Sequence, residues 1–192
     1  MPFVEKMKFT RAELAAFNGA AVDDLIDDRV QLLFVGINPG LWTAAVNAHF
    51  ARRGNRFWPA LFAAGITPRL VDVRDGMSAE DRELVLGLGI GITNIVPTAS
   101  ARADQLSRDE LHAGAVALEA TVRRWKPRVV AVLGLTAYRQ AFAKPKAAQG
   151  RLEDRLGGAE LWVLPNPSGL NGHETIDTLA NSYRRAWEAA RT

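Results

Sequence analysis

The sequence contains no cysteine in its 192 residues. This absence excludes disulfides, thiol catalysis, cysteine-bound zinc and iron–sulfur clusters. The three histidines, His49, His112 and His173, lie far apart in the sequence, so we expect no multi-histidine metal site. We therefore expect neither a metal nor an organic cofactor.

Long apolar runs are also missing. None reaches the roughly 18 residues that a membrane span requires. Charges interrupt the N-terminal sequence MPFVEKMKFTRAEL, which lacks the apolar core of a signal peptide. We therefore expect no membrane association and a cytoplasmic location.

Neither charge sign dominates strongly. Lysine and arginine number 24 against 21 acidic residues, which gives a net charge of +3. Such a mild basic excess permits a nucleic-acid partner without requiring one. The length and an apolar content of 48% suit one soluble globular domain with a proper core.

Four short apolar segments predict buried strands, at residues 30–37, 91–96, 128–134 and 161–165. Helical patterns lie between and around them, at 11–17, 55–64, 79–86, 107–125, 136–143 and 176–190. This alternation predicts an α/β three-layer sandwich, with a central, largely parallel sheet of four or five strands flanked by helices. We expect residues 1–192 to form a single domain, with residues 1–28 as an N-terminal helical extension.

Two loops with an Asn-Pro pair each follow a predicted strand, GINPG at 36–40 and NPSGLN at 166–171. In open parallel sheets, ligands bind outside the carboxyl ends of the strands, so both loops are expected to face one crevice. The alternative for the first loop is a simple turn. It is not a phosphate-binding P-loop, because no Gly-Lys-Ser or Gly-Lys-Thr follows.

The second loop combines groups that suit a nucleic-acid backbone. Asn166 opens it, and Ser168 and Gly169 offer a hydroxyl and backbone N–H groups close to a helix N-terminus, where phosphate binds well. Leu170 stands at its tip. An exposed apolar residue there would enter a base stack as a wedge; the alternative is that Leu170 folds into the core.

Five motifs follow one another in a specific order: GINPG at 36–40, GNRFW at 54–58, GITNIV at 91–96, ELHAG at 110–114 and LWVLPNPSGL at 161–170. With this order and spacing, the chain resembles the mismatch-specific uracil/thymine DNA glycosylases of the uracil-DNA glycosylase superfamily, from about Val30 to Trp187. The resemblance implies a uracil-DNA glycosylase-like fold. It also implies a base excision repair enzyme that acts on double-stranded DNA. We expect a monomer, because no exposed apolar stripe stands out in the sequence, and in a bacterium we expect the protein to associate with the nucleoid.

The resemblance assigns roles to particular residues. Asn38 would hold the attacking water, and the backbone around Ile37 and Phe50 would bind the base edge. Phe50 would stack on the flipped pyrimidine; the alternative for Phe50 is ordinary core packing. Asn94 occupies a pocket position that varies among relatives, and it would help to stabilise the leaving base. The turn formed by Ser168 and Gly169 would grip phosphate, with Leu170 as the wedge.

The chain departs from the family pattern at three places, of which the segment Ala44–His49 leaves the breadth of substrates open. Trp42 and Thr43 stand where bacterial relatives often carry a pair of serines, so Trp42 would narrow the base pocket or extend the DNA-facing surface. Asn171, Gly172 and His173 replace the Ser-Arg that helps relatives to read the opposite guanine; His173 would touch a phosphate or the opposite base instead, or is simply solvated. The basic cluster Arg52, Arg53 and Arg56 is predicted to contact phosphates, with a solvated surface cluster as the alternative.

The predicted reaction is hydrolysis of the N-glycosidic bond of uracil or a related damaged pyrimidine, in a G:U mismatch or as ethenocytosine, leaving an abasic site. Asn38 cannot act as a base because an amide does not titrate, so turnover should be slow. No motif lysine is placed to form a Schiff base, so lyase activity is not expected. Two alternatives remain open: a shifted specificity toward thymine or deaminated purines, and a weakly catalytic module that binds damaged DNA.

Overall fold

The computed structural model describes residues 8–192, which form a central sheet between helices. The strands are β1 (Leu32–Gly36), β2 (Ile90–Asn94), β3 (Val129–Leu133), β4 (Gly150–Leu156) and β5 (Ala159–Leu164). The helices are α1 (Arg11–Ala15), α2 (Leu41–Val46), α3 (Phe57–Ala63), α4 (Ala79–Gly87), α5 (Arg108–Trp125), α6 (Leu135–Ala141) and α7 (Ile176–Arg191), with a 3-10 turn at Ala103–Gln105.

The sheet has the strand order β2-β1-β3-β5-β4. Strands β2, β1, β3 and β5 are parallel to one another. Strand β4 pairs with β5 and is antiparallel to it. The register sets Gly36 beside Asn94 and Leu133 beside Leu164. The carboxyl ends of β2, β1, β3 and β5 therefore lie along one edge, where parallel sheets commonly carry their sites.

Alternate residues of each central strand enter opposite cores, because successive side chains of a strand point to opposite faces. Leu32 and Phe34 of β1 belong to the core beneath α3, α4 and α7. Leu33 and Val35 belong to the core beneath α5 and α6. Covering both faces explains the continuous apolar runs in the sequence and confirms the predicted α/β sandwich with its largely parallel sheet.

Two elements were not predicted. Strand β4 reads GRLEDRL, and most of its side chains are exposed because it forms the sheet edge with a partner on one side only. Helix α2 is a six-residue helix directly after the first Asn-Pro loop. Its predicted neighbour α1 ends at Ala15 rather than at residue 17.

The predicted N-terminal extension falls partly outside the described residues, which begin at Lys8. Its described part packs on the sheet edge, where the Leu25 N–H donates to the Ile92 carbonyl and the Ile92 N–H donates to the Leu25 carbonyl. Among the helices of residues 8–192, none is long and apolar enough to cross a membrane.

Candidate active site

A cleft of about 340 Å³ opens at the carboxyl edge of the sheet. We call it the site cleft. Both Asn-Pro loops line it, as the sequence predicts for two loops at the same strand ends. Its lining comprises Gly36, Ile37, Asn38, Gly40, Thr43, Phe50, Arg52, Asn55, residues 100–104, Leu133, Asn166, Pro167, Ser168 and Leu170.

The Asn38 side chain is held by its amide nitrogen. Nδ2 donates to the Ser100 hydroxyl oxygen at 2.7 Å, and it lies 3.1 Å from the Pro39 carbonyl and 3.4 Å from the Thr98 carbonyl. Among residues 8–192, nothing donates a hydrogen bond to Asn38 Oδ1. This oxygen is therefore available as an acceptor for a water or a substrate group.

Ser100 fixes which way the Asn38 amide points. The Ser100 hydroxyl donates its one proton to the Arg102 carbonyl at 2.8 Å, so toward Asn38 it can only accept. A flipped amide would place Oδ1 against that oxygen and two carbonyls, which is repulsive. The sequence reasoning did not identify Ser100; its position after an irregular segment gave no motif signal.

Phe50 lines the cleft and stacks on the ring of Phe57. The two rings stack at 4.1 Å between centroids with an interplanar angle of 25°. Phe57 is fully buried and makes edge contacts with Phe34 and Trp58, so this support is rigid. Phe50 itself has φ of +58°, a left-handed backbone conformation that is uncommon for an aromatic residue. The packed support holds the ring in a fixed place.

Gly36 brings the floor of the cleft together. A Cβ at Gly36 would lie 2.4 Å from Asn94 Oδ1 and 3.4 Å from Phe50 Cζ. A side chain at position 36 would therefore clash with Asn94 Oδ1, whereas its distance to the Phe50 ring would be an ordinary contact. Asn94 in turn directs Nδ2 toward His49 Nδ1, at 3.4 Å. Its oxygen, rather than its N–H group, faces the floor, so Asn94 is not oriented as the predicted donor to a leaving base.

The second Asn-Pro loop, with the residues that follow it to 175, is called the wedge loop. Asn166 Oδ1 accepts from the Ser168 N–H at 2.9 Å, and the Ser168 hydroxyl oxygen accepts from the Leu170 N–H at 3.3 Å. The Asn171 side chain closes the loop by donating to the Asn166 carbonyl at 3.1 Å. These turns leave Leu170 78% exposed. The alternative in which Leu170 folds into the core is therefore wrong.

Arg56 fastens the wedge loop to the body of the protein. Its guanidinium donates to three loop carbonyls, those of Ser168 at 2.5 Å, Asn171 at 2.7 Å and Glu174. The Arg56 N–H also donates to the Pro167 carbonyl at 3.0 Å. The guanidinium is thus used inside the fold, and the predicted phosphate contact is wrong for Arg56.

A second cavity of about 720 Å³ adjoins the site cleft and shares Gly40, Arg52 and Ala101 with it. Trp42 lines this second cavity and not the site cleft. Its indole N–H donates to the Arg74 carbonyl at 2.9 Å, and its ring meets Phe9 edge to face. The structure therefore does not bring Trp42 into the predicted base pocket.

The model of the uracil DNA glycosylase superfamily matches residues 24–191 of the chain. The chain belongs to this superfamily. A solution NMR structure of a candidate uracil DNA glycosylase from Methanosarcina acetivorans is also similar, with a TM-score of 0.61 and 14% identity. The match covers 91% of this chain and 99% of that chain, and at such low identity it supports the fold alone.

Within this superfamily fold, most of the predicted site residues come together. Ile37, Asn38, Thr43 and Phe50 line the site cleft with Asn166, Ser168 and Leu170. Asn94 lies beneath them at the floor. Gly169 is exposed but lies close to Gly54, whose carbonyl oxygen would be 2.7 Å from a Cβ at position 169. Arg53 lines the second cavity, while His173 is exposed beyond the wedge. The roles assigned to these residues remain predictions.

Three residues at the site escaped the sequence reasoning as functional candidates: Ser100, His49 and, as an anchor, Arg56. Their hydrogen-bond partners lie far away in the sequence, so neither local patterns nor, for Arg56, its own motif reveals these contacts. Within residues 8–192, no group of three histidine, aspartate or glutamate side chains is arranged to hold a metal ion.

Proposed function

We propose that this protein is a monofunctional DNA glycosylase of the mismatch-specific uracil/thymine branch. It hydrolyses the N-glycosidic bond of uracil, or of a related damaged pyrimidine, in double-stranded DNA and leaves an abasic site. The observation that carries the proposal is the Asn38 amide, which is anchored through Nδ2 and keeps its acceptor oxygen free in a cleft that Phe50 also lines.

Asn38 Oδ1 positions the attacking water by accepting a hydrogen bond from it. An amide cannot remove a proton from this water, so the sugar must develop positive charge before the water attacks. Of the described residues that line the cleft, Asp104 alone has a carboxylate, and it is exposed and ion-paired with Arg102. The factor of about 10²–10⁴ that a general base supplies is therefore missing, and the enzyme is slow.

The remaining cleft residues handle the flipped base. Phe50 stacks on it, an interaction worth roughly 1–3 kcal/mol per base. Leu170 fills the gap that the base leaves in the duplex, since apolar side chains serve as wedges between base steps. The Ser168 hydroxyl accepts from the Leu170 N–H, which leaves its own proton to donate to a phosphate oxygen.

The residues after the wedge favour a relaxed requirement for the opposite base. The Asn171 side chain makes its hydrogen bonds inside the loop, because Nδ2 donates to the Asn166 carbonyl and Oδ1 accepts from the His173 N–H. It is therefore not free to read a guanine edge. We propose that the enzyme gains selectivity chiefly because a mismatched or damaged base costs less to extract.

Single-turnover base release tests the proposal. Duplexes with G:U, A:U, G:T, G:ethenocytosine and a deaminated purine are incubated with excess protein, and abasic sites are revealed as strand breaks after alkali. We expect release from G:U that is lost in Asn38→Ala and retained in Asn181→Ala, a matched change at an exposed position of α7.

The same experiment distinguishes the alternatives. Faster release of thymine or a deaminated purine than of uracil would indicate shifted specificity on this scaffold. Tight binding of the duplexes without any base release would indicate a damage-binding module and would contradict the proposed enzyme. In either case, phosphate contacts predict an affinity that falls steeply with salt.

A further inference from the structure

The second cavity, which adjoins the site cleft, has no role in the proposed reaction. Its volume of about 720 Å³ is larger than that of the site cleft and lies within the roughly 300–1,000 Å³ that is usual for ligand sites. The two share Gly40, Arg52 and Ala101, so the second cavity lies directly beside the place proposed for the flipped base. A group that fills it can therefore belong to the same DNA strand as that base.

One part of the lining of the second cavity is apolar and aromatic. Phe9 and Trp42 line it together with Leu41 and Ala51. The two rings meet edge to face, with 5.2 Å between their centroids and an interplanar angle of 80°. The Trp42 indole N–H donates to the Arg74 carbonyl at 2.9 Å, which fixes the orientation of the indole. Both rings are partly exposed, so aromatic surface remains for a flat ligand to contact.

The other part of the lining is mainly basic. Lys8, Arg52, Arg53 and Arg74 contribute four positive charges, against the one negative charge of Asp75. Arg74 already forms an ion pair within its own loop. Among residues 8–192, by contrast, the exposed guanidinium groups of Arg52 and Arg53 make no hydrogen bond or ion pair. Free guanidinium groups beside an aromatic wall complement a ligand that is both flat and anionic.

A nucleotide of the DNA strand combines these two properties, because its base is flat and its phosphate is anionic. Proteins that bind single-stranded nucleic acids use the same pairing of aromatic side chains with cationic groups. A purely apolar ligand would leave the guanidinium groups unused, and a bare phosphate would leave the aromatic surface in water. Since the cavity adjoins the site cleft, the nucleotide within reach is the neighbour of the flipped one.

We propose that the second cavity binds the base next to the flipped base on the same strand, whenever that neighbour is unpaired. The inference rests on the proposed function. Trp42 and Phe9 contact this base, and Arg53 pairs with a phosphate oxygen of its nucleotide. Extracting a second base from a duplex has its own free-energy cost, so the cavity stays empty at an isolated mismatch. Uracil within tandem mismatches, a bulge or a single strand is therefore the preferred substrate.

The test measures equilibrium binding to DNA that the enzyme does not cleave. The uracil nucleotide carries a 2′-fluorine, which destabilises positive charge on the sugar and so blocks hydrolysis. In every duplex the uracil lies opposite guanine, and one flanking position, on the 5′ or the 3′ side, is varied. This position holds a paired thymine, a thymine opposite thymine, or a sugar without a base. The last two flanks are both unpaired, but only one of them has a base that can enter the cavity.

The wild type should bind the duplex with the unpaired thymine roughly tenfold more tightly than the duplex with the baseless flank, on one of the two sides. Trp42→Ala should abolish most of this preference, because the cavity loses its stacking surface. Trp42→Phe retains an aromatic ring and should keep most of it. Arg124→Gln, which changes an exposed arginine near the carboxyl end of α5, is the control and should bind as the wild type does.

Arg53→Gln tests the phosphate contact at an exposed side chain, where the substitution should leave the fold intact. For the duplex with the unpaired thymine, loss of one phosphate contact should reduce the slope of log affinity against log salt by about 1. The slope should stay unchanged for the duplex with paired flanks, because the cavity is then empty. This variant and Trp42→Phe provide the test if Trp42→Ala does not fold.

Equal affinity of the wild type for the thymine and the baseless flank, on both sides, overturns the inference. A preference that survives in a folded Trp42→Ala, or a salt slope that Arg53→Gln lowers equally in every duplex, overturns it as well. Failure of the proposed function gives a different result. If no duplex with unmodified uracil releases its base while the preference is present, the proposed enzyme fails and the second binding site remains. Base release without the preference leaves the enzyme and removes the site.

Discussion

The same dipeptide, Asn-Pro, ends two parallel strands of this protein and does opposite things there. After β1, Asn38 is anchored through Nδ2 and keeps Oδ1 free in the cleft. After β5, Asn166 Oδ1 accepts a hydrogen bond from the Ser168 N–H and so stabilises the turn of its own loop. The first amide therefore keeps an acceptor available to a ligand, whereas the second uses its acceptor to hold the turn of its own loop.

The neighbours of each amide cause this difference. Asn38 faces Ser100, which has already given its proton to a carbonyl and can only accept. Asn166 faces a backbone N–H, which can only donate. The comparison shows that an asparagine in a site is oriented by the donor or acceptor character of what surrounds it.

The sharpest test of the comparison is to truncate both amides. We expect Asn38→Ala to lower the single-turnover rate of uracil release by at least about a hundredfold, because the water loses its position. We expect Asn166→Ala to weaken DNA binding and leave most of the rate at saturating protein. The measurement is the single-turnover rate of uracil release as a function of protein concentration. If both variants lowered the rate at saturating protein equally, the two asparagines would not differ in role.

Removing the group that orients Asn38 should have a smaller effect. Ser100→Ala frees the amide to rotate, and we expect about a tenfold loss in rate, the scale of one hydrogen bond. Ser100→Thr retains the hydroxyl and is the matched control. If Ser100→Ala cleaves uracil at the wild-type rate, the backbone carbonyls alone hold Asn38.

The anchoring of the wedge loop is tested at Arg56. Arg56→Ala leaves three carbonyls without their donor, and we expect the free energy of unfolding to fall by roughly 1–3 kcal/mol. Protease should also cut the wedge loop sooner. Arg52→Ala, at an exposed arginine of the cleft rim, is the control and should leave both properties unchanged. If the two variants were equally stable, the hydrogen bonds within the wedge loop would suffice to stabilise it without Arg56.

The smallest expected effect concerns pH. Burial lowers the pKa of His49 in the fold, so the unfolded chain binds a proton more readily. Stability should therefore fall as the pH drops below the ordinary histidine value of about 6.5, toward the lowered native pKa. Thermal unfolding across this range should show a shallower slope in His49→Asn; an identical slope would mean that other groups cause it.

Much of the fold could be predicted because it depends on local sequence. The four central strands are short apolar runs with both faces buried, and the capping boxes of Thr10 and Ser107 mark the starts of α1 and α5. Strand β4 could not be found in this way. Its polar sequence becomes a strand only because β5 offers an unpaired edge.

The site was predictable to the same degree. The motif residues Asn38, Phe50 and Leu170 lie where two strand-end loops meet, a place that follows from the parallel order of strands. Trp42 was misplaced because the unpredicted helix α2 directs its ring into the neighbouring cavity. The sequence predicted that Arg56 contacts phosphate. In the structure it donates hydrogen bonds to carbonyls more than a hundred residues away.

By itself, the sequence determined the α/β class, the two loops at strand ends and the residue types that the cleft presents. Burial and local propensity suffice for these features, since they act over a few residues. Only the tertiary structure decided how Asn38 and Asn94 are turned, which carbonyls Arg56 holds and which cavity receives Trp42. These depend on hydrogen-bond partners brought together from distant parts of the chain, and the direction of an amide is set by such partners alone.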